Sequence, residues 1–174
     1  VKHPYDLVIS ETMQAALKKE PQVAIMQNLI PQMPSHGIFI PQRITINAIL
    51  SSRGKWNDET YTYDNVVRIP LGEAMRVDAN HLHHFTASLS LPALPCDANL
   101  LQLHTSIDVY NGHKLGDGDC SLNMPLKVCD ITCQWGQMLH FWYEQVDLPN
   151  VVMQVEGSTE VMELSGQKEV FYFK

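Results

Sequence analysis

Between Phe85 and Val128 the chain twice alternates apolar with polar residues, in Thr86-Ala87-Ser88-Leu89-Ser90-Leu91 and in Leu101-Gln102-Leu103-His104-Thr105-Ser106-Ile107-Asp108-Val109-Tyr110. Side chains on an extended backbone point to opposite faces in turn, so this pattern buries one face and wets the other. Parallel sheets covered on both sides read as continuous apolar runs instead, so the alternation predicts antiparallel pairing. A proline-marked corner separates the two runs, and Ser121-Leu122-Asn123-Met124-Pro125-Leu126-Lys127-Val128 follows as a further strand.

The rest of the chain extends the pattern. Ile38 to Leu50 reads as a strand pair or bent strand with Ile44, Ile46 and Ala48 on one face, and Val23 to Ile30 as a strand before the Pro31 to Gly37 loop. Tyr61 to Tyr63 and Val66 to Ile69 resume β-favouring content, with a turn expected at Pro70-Leu71-Gly72. Asn111-Gly112 is a hairpin signal, extended into a loop by Gly116-Asp117-Gly118-Asp119. Leu139 to Glu144, Val151 to Val155, Val161 to Leu164 and Val170 to Phe173 complete about nine strands at roughly ten-residue spacing. The one helix expected runs from Ser10 to Glu20, with Met13, Ala16 and Leu17 on one face, Lys18 and Lys19 at its end and Pro21 as its stop. With no crossover helices, the fold class predicted is all-β: an antiparallel β-sandwich with one short N-terminal helix. At 174 residues the expectation is a single domain, with residues 1–22 as an N-terminal extension or helix.

The formal charge of −7 argues against a surface that neutralises many phosphates, and so against nucleic acid as a partner. No apolar run approaches the length that spans a bilayer. Cys96, Cys120, Cys129 and Cys133 are read as buried thiols, with a disulfide as the alternative, and no Asn-x-Ser/Thr acceptor occurs. Together these features point to a cytoplasmic setting, with the nucleus as the alternative.

Catalytic signatures are missing from the sequence: it has no Gly-x-Ser-x-Gly elbow, no Gly-x-Gly-x-x-Gly turn and no Walker loop. His81 and His83 would share a face on a strand and resemble the His-x-His of metal-binding cupin barrels, but the glutamate and glycine that accompany it there are absent. Cys129 and Cys133, with Cys120 and His140 near in sequence, lack a second pair at zinc-site spacing. Asp108, Asp117 and Asp119, with Asp97 from a second loop, are the calcium-type carboxylates, set against the reading of a solvated hairpin. No cofactor is expected. The partner-binding candidates are aromatic: Trp56 in a polar loop, and Trp135, Phe141, Trp142 and Tyr143 in a dense aromatic segment, set against the reading in which alternate members of that segment fill the core.

The run Gly37-Ile38-Phe39-Ile40-Pro41-Gln42-Arg43-Ile44-Thr45-Ile46-Asn47-Ala48-Ile49-Leu50 resembles the entry strand of an arrestin-type lobe. Leu89 to Pro95, Leu101 to Val109 and Leu122 to Val128 are similar to the proline-ended, central and closing strands of arrestin-domain adaptors. The Leu91-Pro92 strand and its successor also resemble the lumenal lipid-binding sandwich of seipin-type proteins. The adaptor resemblance implies a non-enzymatic module that binds another polypeptide through a sheet edge or loop surface. The alternatives are a lipid- or small-ligand-binding sandwich with splayed sheets, and a metal-dependent enzyme built on His81, His83 and a cysteine pair.

Overall fold

The computed structural model describes residues 5–59, 62–64, 66–93, 98–131 and 136–163, with the backbone alone at 55–57 and 62–64. Thirteen strands and one α-helix follow in chain order among the described residues: β1 (Leu7–Ile9), α1 (Gln22–Leu29), β2 (Ile38–Ile40), β3 (Arg43–Ser51), β4 (Lys55–Asn57), β5 (Thr62–Asp64), β6 (Arg68–Asp78), β7 (Thr86–Ser90), β8 (Leu100–Tyr110), β9 (His113–Leu115), β10 (Leu126–Asp130), β11 (Met138–Glu144), β12 (Asn150–Val155) and β13 (Val161–Glu163). The fold is all-β and sandwich-like. A five-stranded sheet runs β10-β8-β3-β6 with β9 on β8, and a four-stranded sheet runs β13-β12-β11-β7. Pairing within both is antiparallel. β6 lies against β7 and β10 against β13, so the sheets meet along both sides.

Period-two placement explains the interior. Leu101, Leu103 and Ile107 of β8 stand opposite Leu50, Ala48 and Ile44 of β3, and all are buried. Leu139, Phe141 and Tyr143 of β11 meet them from the other sheet, with Val151, Met153 and Val155 of β12 beside them. The space between the sheets is therefore filled by side chains, which corrects the splayed, lipid-holding alternative.

Three local expectations are corrected. Val23 to Ile30 is helical: Gln22–Leu29 forms α1, burying Val23 and Met26 three positions apart. A short apolar run does not separate a strand from a buried helical turn by periodicity alone. Ser10 to Glu20 is not an α-helix but an extended loop with a single 3₁₀ turn at Ala15–Leu17. Pro70-Leu71-Gly72 does not turn the chain; it lies inside β6, where two register shifts against β3 absorb the irregularity. Gly72 has φ +138, and a Cβ there would lie 3.1 Å from Leu89 Cδ2, so its missing side chain lets β6 approach β7.

β1 stands apart from the sandwich sheets. It pairs parallel with β2, Leu7 opposite Ile38 and Ile9 opposite Ile40. Tyr5, Leu7 and Ile9 are 69%, 52% and 68% exposed, whereas Val8 between them turns towards the core.

Candidate functional site

The loop from Ser10 to Pro21 leaves the C-terminal end of β1. Ala16, Leu17 and Lys19 have φ of 55°, 56° and 63°, the left-handed region that residues with a Cβ avoid at roughly 1–2 kcal/mol each. Such strain persists only where surrounding structure over-determines it, and it gathers at functional sites.

Here the surroundings are explicit. Ala16 and Leu17 are fully buried. The Ala16 amide donates to Thr105 Oγ1 of β8 at 2.8 Å, the Tyr143 hydroxyl of β11 donates to the Leu17 carbonyl at 2.9 Å, and the Lys19 amide donates to the Pro149 carbonyl at 2.7 Å. Tyr143 stacks edge-on against Phe85, with ring centroids 5.9 Å apart, and burial drives its phenol pKa well above the ordinary value. At the loop's start, the fully buried Gln22 accepts from Ser10 Oγ (3.0 Å), the Thr12 amide (3.2 Å) and Thr12 Oγ1 (2.8 Å) through one carbonyl oxygen.

Two carboxylates ride on this fixed backbone. Glu11, between the clamped Ser10 and Thr12, is exposed; Glu20 is half-buried and accepts from Gln14 Nε2 at 3.2 Å. Glu20 also lines a cleft of about 300 Å³ together with Lys19, Val23, Tyr143, Asp147 and Pro149. A rigid loop carrying acceptor-only side chains next to a cleft can hold and orient a cationic group.

The sequence-derived candidates sit elsewhere or in other roles. Phe141 and Tyr143 are buried in the core, because they share the inward parity of β11; this corrects their reading as an exposed aromatic patch. Trp142, of outward parity, is half-buried and donates from Nε1 to Glu144 Oε1 at 3.3 Å. Trp135 lies outside the described residues, as does the side chain of Trp56, whose backbone pairs with Tyr63.

His81 and His83 border one small cleft, but their rings are engaged by separate protein partners. His81 sits in a turn with Nδ1 2.8 Å from Asp78 Oδ1 and Nε2 2.8 Å from Arg76 Nη2, so both ring nitrogens are engaged. His83 Nδ1 faces Gln27 Nε2 at 3.4 Å. Among the described residues no three His, Cys, Asp or Glu side chains could hold a metal ion. Asp117 meets His104 Nδ1 at 2.6 Å, Asp119 accepts from the Gly116 amide, and Asp108 pairs with Lys114, so the calcium-type carboxylates have protein partners. Cys120 donates to Asn123 Oδ1, and Cys129 is half-buried in β10; Cys96, Cys133 and Asp97 lie outside the described residues. No helix among the described residues is long and apolar enough to cross a membrane.

No family model and no curated protein matches the chain. Its fold is similar to that of a chain from the Trypanosoma brucei PRMT1 enzyme-prozyme heterotetrameric complex with AdoHcy, at a TM-score of 0.51 and 14% identity over 92% of this chain and 68% of that one. That likeness corrects the expectation of a non-enzymatic adaptor or scaffold module: the architecture is one found in an enzyme complex. The loop from Ser10 to Pro21 was missed because its apolar spacing of Met13, Ala16 and Leu17 is that of a helix. The three residues are buried as that spacing requires, on a backbone that is not helical.

Proposed function

We propose that this chain is the substrate-holding part of a group-transfer enzyme that acts on a cationic side chain of the guanidinium class. The observation that carries this is the loop Ser10 to Pro21, held in left-handed conformations by Thr105 and Tyr143 and presenting Glu11 and Glu20. A carboxylate accepts two parallel N–H bonds from a guanidinium, which fixes orientation as well as position. The net charge of −7 favours encounter with cationic substrates. The similar fold of a chain from the PRMT1 enzyme-prozyme complex supports an enzyme setting for this loop.

The AdoHcy of that complex finds no matching site in the described residues. The sequence has no Gly-x-Gly-x-x-Gly turn, and parallel pairing among the described residues is confined to β1 and β2, so no doubly wound crevice is formed. The open face of β1, with Tyr5, Leu7 and Ile9 exposed, fits a parallel sheet whose covering layer comes from another unit. Within this chain the loop binds and orients the cation, and no step of the transfer itself is assigned to it.

The test is binding of an arginine-containing peptide and its lysine counterpart, followed by calorimetry. The arginine peptide is expected to bind more tightly, and Glu11→Gln with Glu20→Gln to weaken it by about tenfold or more, the loss of one to two charge-assisted hydrogen bonds. Equal binding by the wild type and the double variant would remove the proposal.

A further inference from the structure

The cleft beside Glu20 continues into the bend from Gln145 to Pro149, which joins β11 to β12. Two large apolar side chains in this bend are open to solvent, Val146 at 60% and Leu148 at 63% exposed. Between them stands the exposed Asp147, which lines the cleft together with Val146. The bend is joined to the strained loop by the Lys19 amide, which donates to the Pro149 carbonyl, so its position follows that of Glu20.

We propose that this bend is a specificity surface for an extended peptide, in which an apolar residue next to the cationic one rests on Val146 and Leu148. This rests on the reading of Glu11 and Glu20 as holders of a cation. The geometry supplies the parts such a substrate needs. Glu20 and Asp147 place two carboxylates at the cleft against one ammonium, that of Lys19, which leaves it acidic. The Tyr143 ring forms part of the wall, and its hydroxyl is committed to the Leu17 carbonyl, so the ring acts as an apolar surface. Val146 in the cleft wall and Leu148 two residues further along the bend gain from desolvation only when an apolar group covers them. A free amino acid or a small guanidine in the cleft would leave Leu148 uncovered, whereas a peptide extends along the bend, each extended residue spanning about 3.3 Å.

The experiment compares two peptides of equal charge with the whole chain, one with leucine beside the arginine and one with glycine there, against wild type, Val146→Ser with Leu148→Ser, and Lys19→Gln. The leucine peptide is expected to bind wild type about tenfold more tightly, a preference lost in the serine variant, while the glycine peptide binds both equally. Lys19→Gln is expected to tighten both peptides alike. Equal affinity of the two peptides for wild type overturns the inference and leaves the cation reading intact. Failure of both arginine peptides to bind overturns both readings. A leucine preference that survives in the serine variant also overturns it, because the preference then arises elsewhere. Val146 and Leu148 are exposed, so the serine variant is expected to keep the wild-type circular dichroism spectrum and thermal midpoint.

Discussion

Two carboxylate-bearing loops of this molecule solve the problem of a sharp backbone in opposite ways. The loop Ser10 to Pro21 bends through Ala16, Leu17 and Lys19, residues that resist a positive φ, and is held by the core beneath it. The segment from Asn111 to Cys120, two turns on either side of β9, bends through Asn111, Gly112 and Gly118, which adopt the same region readily, and a Cβ on Gly112 would touch nothing within 4 Å. The second is a connection with suitable turn chemistry. The first is a conformation imposed by tertiary contacts, and imposed conformations are where function is to be sought.

The sharpest break of that contrast is Leu17→Ala. Leu17 is wholly buried, so truncation is expected to destabilise the fold by about 2–5 kcal/mol in urea unfolding, whereas Leu115→Ala, half-buried at the end of β9, costs less. Equal losses would mean that the core does not hold the first loop. Thr105→Val keeps the shape but leaves the buried Ala16 amide without its acceptor; a loss of about 1–3 kcal/mol is expected, with faster hydrogen exchange at Ala16. Gly112→Ala, by contrast, is expected to cost about 1 kcal/mol through backbone strain alone, its space being open.

The smallest effect concerns pH and belongs to His104 of β8, whose Nδ1 meets Asp117 of the second segment. Burial lowers the pKa of His104 below 6.5, and the proximity of Arg68 adds to this, against the opposing pull of Asp117. The folded state then binds fewer protons than the unfolded one, so stability rises with pH through this window and declines as pH falls below 6.5. Unfolding followed between that value and the carboxylate range should show the decline, and His104→Asn should flatten it. A slope that is unchanged in the variant would assign the titration to another group.

Much of the sandwich was legible because one physical rule governs it. Ile44, Ile46 and Ala48, and Leu101, Leu103 and Ile107, lie inside as period-two placement requires. The Asn111-Gly112 hairpin was legible from local turn chemistry, and it joins β8 to β9 with both residues left-handed. The candidate site was not legible for a related reason. Its conformation is set by Thr105 and Tyr143, some 89 and 126 positions away in sequence, and no local pattern encodes partners at that distance. Val23 to Ile30 was misread because eight mostly apolar residues satisfy either period, and the choice of helix is made by the surface they rest on. The aromatic density of β11 was visible, but the inward parity of Phe141 and Tyr143 makes it a core strand rather than a contact surface.

Asp78, at the end of β6, is nearly closed to solvent and accepts from Arg43 Nε at 3.1 Å, the Asn80 amide at 2.9 Å and His81 Nδ1 at 2.8 Å, with Arg76 Nε 3.6 Å away. Burial resists its ionisation, yet these partners together hold its pKa below the usual value. A carboxylate with that many donors tolerates the loss of any single one. Drift at Arg43, Arg76 or His81 is thereby buffered, while Asp78 itself is the position where substitution strands several polar groups at once.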